Sequence, residues 1–309
     1  VKIAFMGTPA LAAVCLDAIA KEHEVVVVVT QPDKMGGRRN HQLIIPPVKQ
    51  RAIELGIPVL QPERARNAEF VEELSAFEPE AIAVVAYGQI LPRSILDMGP
   101  KGCVNLHYSL LPRWRGAAPV QYAIWNGDEK TGVTTQWMAE KLDAGDIIEQ
   151  VVVDIEEDES SGDLLDRLNE IGAQVLVSTF KLLENDSAPR VPQDENAVTL
   201  CPQITKEMAQ INWSMSAKKI SDTVRAMNPW PTAWFDFRGE PLKIWRSKPV
   251  TIESELPETG TILALDKNGP IIATIDGALQ IIEVQPTGKA RMKAADWARG
   301  ARISVGEKL

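Results

Sequence analysis

The sequence predicts an α/β protein: an open, mostly parallel sheet followed by a small β-barrel. Three features carry that expectation. Apolar strand-like runs alternate with helix-like segments from residue 1 to about residue 183. An aperiodic stretch containing Asn-Asp-Ser-Ala-Pro-Arg-Val-Pro follows. Beyond residue 205 come five short alternating segments separated by Gly and Pro turns.

Taken in order, Lys2–Met6 reads as a short buried strand and Gly7-Thr8-Pro9 as a tight turn. Residues 10–20 read as a helix, with Leu11, Val14, Cys15, Ala18 and Ile19 at helical spacing. The five consecutive valines in Glu24–Thr30 suit a strand covered on both faces, as strands of parallel sheets are. Gln31–Lys49 reads as a long loop, Val48–Leu55 as a short helix and Pro58–Leu60 as a short strand. Ala81–Tyr87 and Gly102–His107 are central strands, and Thr131–Met138 and Ile147–Ile155 continue the sheet. Ser160-Ser-Gly-Asp163 has the form of a capping box opening a helix to about Leu183. Ser214–Met227 is helical and stops before Asn228-Pro-Trp-Pro231. The five late strands are Ala233–Phe237, Pro241–Trp245, Thr259–Leu265, Ile271–Ile275 and Ala278–Val284. The expected organisation is a Rossmann-like domain over residues 1–188, a linker over 189–205 and an OB-like barrel over 206–309.

The bulk composition excludes several classes. At 309 residues, 45% hydrophobic and 24% charged, the chain fits one large or two ordinary globular domains. No apolar run approaches the roughly 18–20 residues of a membrane helix, so no membrane partner is expected. The first residues read as a strand, not as a signal peptide. Cys15, Cys103 and Cys201 are widely spaced and form no Cys-x-x-Cys pair. They read as reduced, packed thiols of a cytoplasmic protein, with no metal-ligand spacing. The net charge of −9 argues against a polyanionic partner until the chain is split. Residues 205–309 hold 15 Lys+Arg against 12 Asp+Glu, so this part is net positive and the part before it strongly negative.

The chemistry concentrates in Asn105-Leu-His107-Tyr-Ser109-Leu-Leu-Pro112-Arg-Trp-Arg115-Gly116 and in Leu142-Asp143-Ala-Gly145-Asp146. Asn105 and His107 are two apart, so on a strand both project from one face. Asp143 lies in a turn that can aim a carboxylate at the ring of His107. Singly, His107 would be a packed histidine and Asp143 a turn residue. Together an amide, an imidazole and a carboxylate suit acyl transfer without a metal or a covalent nucleophile. Ser109–Pro112 can wall a pocket for a flat heterocycle or plug the core. Arg113 and Arg115 can equally be solvated charges. Gly7-Thr-Pro9 lacks the Gly-x-Gly-x-x-Gly fingerprint, so no nicotinamide cofactor is expected. Lys34, Arg38, Arg39 and His41, interspersed with Gly36-Gly37, offer a basic arm for phosphates, or simply a solvated loop. Lys289, Arg291 and Lys293 form a second basic cluster.

These motifs resemble the folate-dependent formyltransferases, with Asn105–Gly116 and Leu142–Asp146 as the signature. Gly7-Thr-Pro, Thr30-Gln-Pro-Asp33, Pro47-Val-Lys49, Val84–Gly88, Ile90-Leu-Pro92, Gly116–Pro119, Ile211-Asn-Trp-Ser214 and Asn228–Pro231 extend the likeness over about residues 1–303. The resemblance implies that Asn105, His107 and Asp143 are catalytic. It implies a folate pocket lined by Ser109, Leu110, Leu111 and Pro112 with Ala86, Tyr87, Gly88 and Ile90. The implied donor is 10-formyltetrahydrofolate and the acceptor the methionine α-amine of initiator methionyl-tRNA, in the service of translation initiation. Lys34, Arg38, Arg39, Lys289 and Arg291 are then the candidate tRNA contacts, and a monomer is expected. An acceptor that is an amino sugar nucleotide is the alternative within enzymes; an RNA-binding protein with an inactive folate-like domain is the alternative outside them. The chain departs from the family pattern in three places: Tyr108 stands where a small residue is expected, Ala139 and Lys141 precede Leu142-Asp143 in place of Asp and Gly, and the loop after Asp33 carries fewer lysines and is slightly longer than usual.

Overall fold

A computed structural model of the chain describes residues 1–36, 42–253 and 255–309. It divides into two compact units: residues 1–116, 131–153 and 165–201 form the first, residues 117–130, 154–164 and 202–309 the second.

The first unit opens with β1 (Lys2–Gly7), α1 (Ala10–Glu22), β2 (Glu24–Val29), β3 (Lys34–Gly36), β4 (Gln42–Ile44), α2 (Pro47–Glu54) and β5 (Val59–Leu60). Next come α3 (Ala68–Ser75), β6 (Ala81–Val85), α4 (Arg93–Leu96), β7 (Cys103–His107) and β8 (Arg115–Gly116). After α5 (Pro119–Trp125), which belongs to the second unit, the bulk of β9 (Lys130–Trp137), β10 (Ile147–Asp154) and α6 (Ser161–Glu184), with β11 (Leu200–Cys201), completes it.

Seven strands form the central sheet in the order β10-β9-β7-β6-β1-β2-β5. The five from β7 to β5 run parallel, and β9 runs antiparallel to β7. Every residue of β6 is buried, as are Val27–Val29, which is why these strands are unbroken apolar runs. The chain leaves β1 toward β2 and returns on its other side as β6. That reversal opens a crevice at the carboxyl ends of the strands. Gly7 ends β1 where a Cβ would lie 2.8 Å from Ala12 Cβ and 2.9 Å from the Val85 oxygen. The turn to α1 therefore has no room for a side chain. The buried stripe of α1 is Ala12, Cys15, Leu16 and Ile19, an i, i+3, i+4, i+7 face; Val14, expected inside, is exposed.

The segment expected as an unstructured loop over residues 31–49 instead contains β3 and β4, paired antiparallel with Lys34 opposite Ile44. Pairing satisfies backbone groups that a polar run would otherwise leave to water. Arg38, Arg39 and His41 lie outside the described residues. Residues 189–201, part of the expected linker, lie within the first unit. There Val191 bridges Ile147, and β11 pairs with β8.

In the second unit, the capping box ahead of α6 forms with Asp in the place of Glu. The Ser160 N–H donates to Asp163 Oδ2 at 3.2 Å, and the Asp163 N–H to Ser160 Oγ at 3.3 Å. α7 (Ala217–Ala226) precedes β12 (Ala233–Phe237), β13 (Glu240–Val250), β14 (Ile262–Leu265), β15 (Pro270–Ala273), β16 (Ala278–Pro286), β17 (Met292–Lys293) and α8 (Ala294–Gly300). The strands form one antiparallel sheet, β12-β13-β16-β15-β14, with β17 on β16. Among the described residues its ladder ends at β12 and at β14, so the expected barrel is an open sheet. Alternation along β13 buries Leu242 and Ile244 and exposes Lys243.

Candidate active site

β7 reaches the carboxyl end of the sheet with Asn105 and His107 on one face and Leu106 and Tyr108 on the other. Across the antiparallel ladder Asn105 faces Gln136 and His107 faces Thr134, so the site face of β9 is polar as well. His107 is buried, and its ring is oriented from the loop that follows. Its Nε2 lies 2.8 Å from the carbonyl oxygen of Trp114, an acceptor only, so this nitrogen carries the hydrogen. Nδ1 then faces Asp143, at 3.7 Å from Oδ1. That separation is too long for a hydrogen bond.

Asp143 has a left-handed backbone at φ +48°, and each of its carboxylate oxygens accepts one hydrogen bond. The Gly116 N–H donates to Oδ2 at 2.9 Å, and Gln136 Nε2 donates to Oδ1 at 3.1 Å. The sequence brought Asn105, His107 and Asp143 forward, and the fold gathers them in one unit. It did not reveal Gln136, Thr134, Gln150 or the Trp114 carbonyl. The available signal was the run Thr134-Thr135-Gln136 in a strand that is buried from Thr131 to Trp137. Asn105 is half-buried, and its side-chain amide has no hydrogen-bond partner among the described residues.

The loop after His107 is held by its own polar groups. Ser109 is fully buried and donates its hydroxyl to the Arg113 carbonyl at 2.6 Å, which occupies it as a structural group. Thr134 Oγ1 donates to the Ser109 carbonyl at 2.6 Å, and Gln150 Nε2 lies 2.8 Å from the Leu111 carbonyl. Leu111 is buried, whereas Leu110 and Pro112 are half-buried. On the neighbouring strand end Ala86 and Gly88 have positive φ and are exposed, and Ile90 is 88% exposed. Tyr87, expected beside them in the pocket, instead turns its ring into the core with Met6, Val84 and Leu91. Burial there pushes its hydroxyl up to about 12. Arg115, open to a surface role in the sequence, is 3% exposed.

Cys15, Cys103 and Cys201 are buried and form no disulfide among the described residues. Burial raises the Cys15 thiol to about 12 and the Cys103 thiol further, so neither supplies a thiolate. A cavity of about 800 Å³ opens beside Gly102 and Cys103, at the opposite end of β7 from His107. Its rim cations Lys101 and Arg93 are paired with Asp186 and Asp97. Of the basic candidates, Lys34 is exposed on β3 in the first unit. Lys289 and Arg291 are exposed in the second unit, with the Arg291 guanidinium 3.1 Å above the Trp245 ring centroid.

A mostly parallel sheet carries an amide and an imidazole at the carboxyl end of one strand, with the carboxylate of Asp143 from a neighbouring turn beside them. Residues 1–180 match the family model described as formyl transferase, and residues 203–302 match the formyl transferase C-terminal domain. Methionyl-tRNA formyltransferase of Geobacillus thermodenitrificans is 46% identical over 99% of this chain and 97% of its own length. That of Bacillus subtilis is 44% identical over 100% and 97%. The chain belongs to the formyl transferase family and, within it, to the methionyl-tRNA formyltransferases. Solved structures share the fold at lower identity. HypX from Aquifex aeolicus in complex with tetrahydrofolic acid superposes at TM-score 0.64 with 18% identity, over 99% of this chain and 48% of that one. WlaRD, a sugar 3N-formyl transferase, superposes at 0.67 with 18% identity, over 94% and 99%.

Proposed function

We propose that the chain transfers the formyl group of 10-formyltetrahydrofolate to the α-amine of methionine on initiator methionyl-tRNA, in the cytoplasm and as a monomer. The formyl-transfer site lies in residues 1–188, and residues 206–309 form a tRNA-binding domain. The observation that carries this reading is the half-buried residue Asn105, its amide left unpartnered beside a histidine oriented by Trp114 and 3.7 Å from Asp143. It is supported by relatives at 43–46% identity over the whole chain.

The folate supplies an activated formyl group on nitrogen. Its flat ring system suits the strand-end surface of Ala86, Gly88 and Ile90 together with Leu110 and Pro112. Asn105 donates its amide hydrogens to the formyl oxygen as negative charge develops there. His107 and Asp143 take the proton released by the attacking α-amine and return one to the departing folate nitrogen. One N–C bond forms, one breaks, and no net proton is consumed. Lys34, Arg38, Arg39, Lys289 and Arg291 contact the tRNA backbone.

The test offers the purified chain 10-formyltetrahydrofolate with charged initiator tRNA and, separately, with amino sugar nucleotides. Formyl-methionyl-tRNA is the expected product. Formylation of the sugar nucleotide alone overturns the acceptor, and wild-type turnover by His107→Ala overturns the site.

A further inference from the structure

We propose that Gln193, in a segment the sequence offers only as a connector, is a positioning residue that sets the polarity and place of Asp143. The proposal rests on the reading of Asp143 as the partner of His107. Residues 191–196 run beside the Asp143 turn, anchored by reciprocal backbone bonds between Val191 and Ile147 of 2.8 and 3.1 Å. Gln193 Nε2 lies 2.9 Å from the Asp143 carbonyl oxygen, 2.7 Å from that of Gly145 and 3.3 Å from Gln136 Oε1. Its Oε1 accepts from Arg115 Nε at 3.0 Å.

The direction of this chain of bonds follows from its two ends. Arginine only donates, so Gln193 Oε1 must accept and Gln193 Nε2 must donate. The two Gln193 Nε2 hydrogens are shared among three acceptors, the longest contact being to Gln136 Oε1, and the Asp143 carboxylate, which only accepts, takes the Gln136 Nε2 donor at Oδ1. The order runs Arg115, Gln193, Gln136, Asp143, and it ends 3.7 Å from His107 Nδ1. Asp143 also holds a left-handed backbone that non-glycine residues disfavour. The bonds from Gln193 to the carbonyls of Asp143 and Gly145 fasten the turn in that conformation.

Attachment of the segment does not depend on the Gln193 amide. Arg115 Nη2 bonds Glu195 Oε1 at 2.8 Å, and Lys141 Nζ bonds Glu195 Oε2 at 2.8 Å. Removing the amide should therefore disturb Asp143 more than the fold.

The experiment measures Gln193→Ala, Gln193→Glu, Asp143→Ala and the double variant Gln193→Ala/Asp143→Ala by steady-state and single-turnover formyl transfer. Gln193→Ala is expected to lower kcat by about 10- to 100-fold, the effect of an ångström-scale misplacement. KM for donor and acceptor should stay within about twofold, and Gln193→Ala should have no further effect in the Asp143→Ala background. Gln193→Glu keeps the size, but its carboxylate cannot donate to Gln136 and faces the carbonyl oxygens of Asp143 and Gly145 without a hydrogen to offer them. It should therefore lower kcat with KM within about twofold. That split between kcat and KM decides the matter if Gln193→Ala does not fold. Wild-type kcat in the Gln193 variants, or an equal loss with and without Asp143, overturns the proposal. Wild-type kcat in Asp143→Ala overturns the underlying reading instead.

Discussion

Asn105 sits in a strand, where asparagine is disfavoured by up to about 1 kcal/mol, and its amide gains no partner among the described residues. Such a residue contributes little to folding, so Asn105→Ala should lower kcat by about 10²–10³-fold, as loss of an oxyanion donor does. Its melting temperature should be unchanged or higher; a comparable loss of stability would make Asn105 a structural residue. Tyr108 is the reverse case. Beside His107 in sequence it looks like an intruder in the site, yet strand alternation sends it to the other face. There its hydroxyl donates to Asn169 Oδ1 at 2.7 Å, and a Cβ on Gly172 would lie 3.5 Å from its ring. Read by chemical denaturation, Tyr108→Phe should cost about 0.5–1.5 kcal/mol with kcat unchanged, the net worth of one hydrogen bond, since Asn169 Oδ1 keeps the Cys15 thiol as donor. Alternation was legible in the sequence, but the compensating Asn169 and Gly172 were not, because they sit about sixty residues away.

At the scale of elements, local sequence pattern suffices where the determining contacts are local. The apolar runs gave β1, β2, β6 and β7, and Ser160–Asp163 gave the start of α6. Contacts made at long range stayed hidden: the polar face of β9, the inward ring of Tyr87 and the packing of residues 189–201 have no local periodicity to betray them. The Asp143 turn illustrates why such contacts matter. A Cβ on Gly145 would lie 1.6 Å from the Trp137 oxygen, so no side chain fits without moving the turn. Gly145→Ala should therefore lower both kcat and the melting temperature, and a variant with native values would show that the turn tolerates displacement. The ion contact beside it gives a pH signature. Hydrogen bonds from Arg115 and Lys141 lower the Glu195 carboxyl to about 2. A lowered carboxyl stabilises the fold above its unfolded-state value, and the contribution fades as pH falls toward about 2. The melting-temperature difference between wild type and Glu195→Gln should accordingly shrink between about pH 4.5 and 2. A constant difference across that window would remove the ionic role.

At the scale of the molecule, the charge changes sign near residue 205, whereas the two compact units interleave, with residues 117–130 and 154–164 of the expected first domain belonging to the second. Also not visible in the sequence is the openness of the second sheet, since turn residues mark strand ends without fixing whether the last strand meets the first. The strongly acidic first part repels a polyanion, so a tRNA held by this chain must be gripped by local cations against that background. Each phosphate neutralised releases counterions, and the affinity then falls with salt at a logarithmic slope of about 0.9 per contact. KM for methionyl-tRNA should therefore rise steeply with salt while KM for the folate donor changes little. Lys289→Ala and Arg291→Ala should each reduce that slope by about 1. Arg291 has a second attachment, since its guanidinium also stacks on Trp245. Its loss frees an indole on the sheet surface, so Arg291→Lys, which keeps the charge but not the planar stack, separates the two effects. If charge dominates, Arg291→Lys retains the wild-type slope; if it loses the slope as fully as Arg291→Ala, the stacked plane is what meets the RNA. Slopes unchanged in all three variants would move the tRNA contact off this cluster.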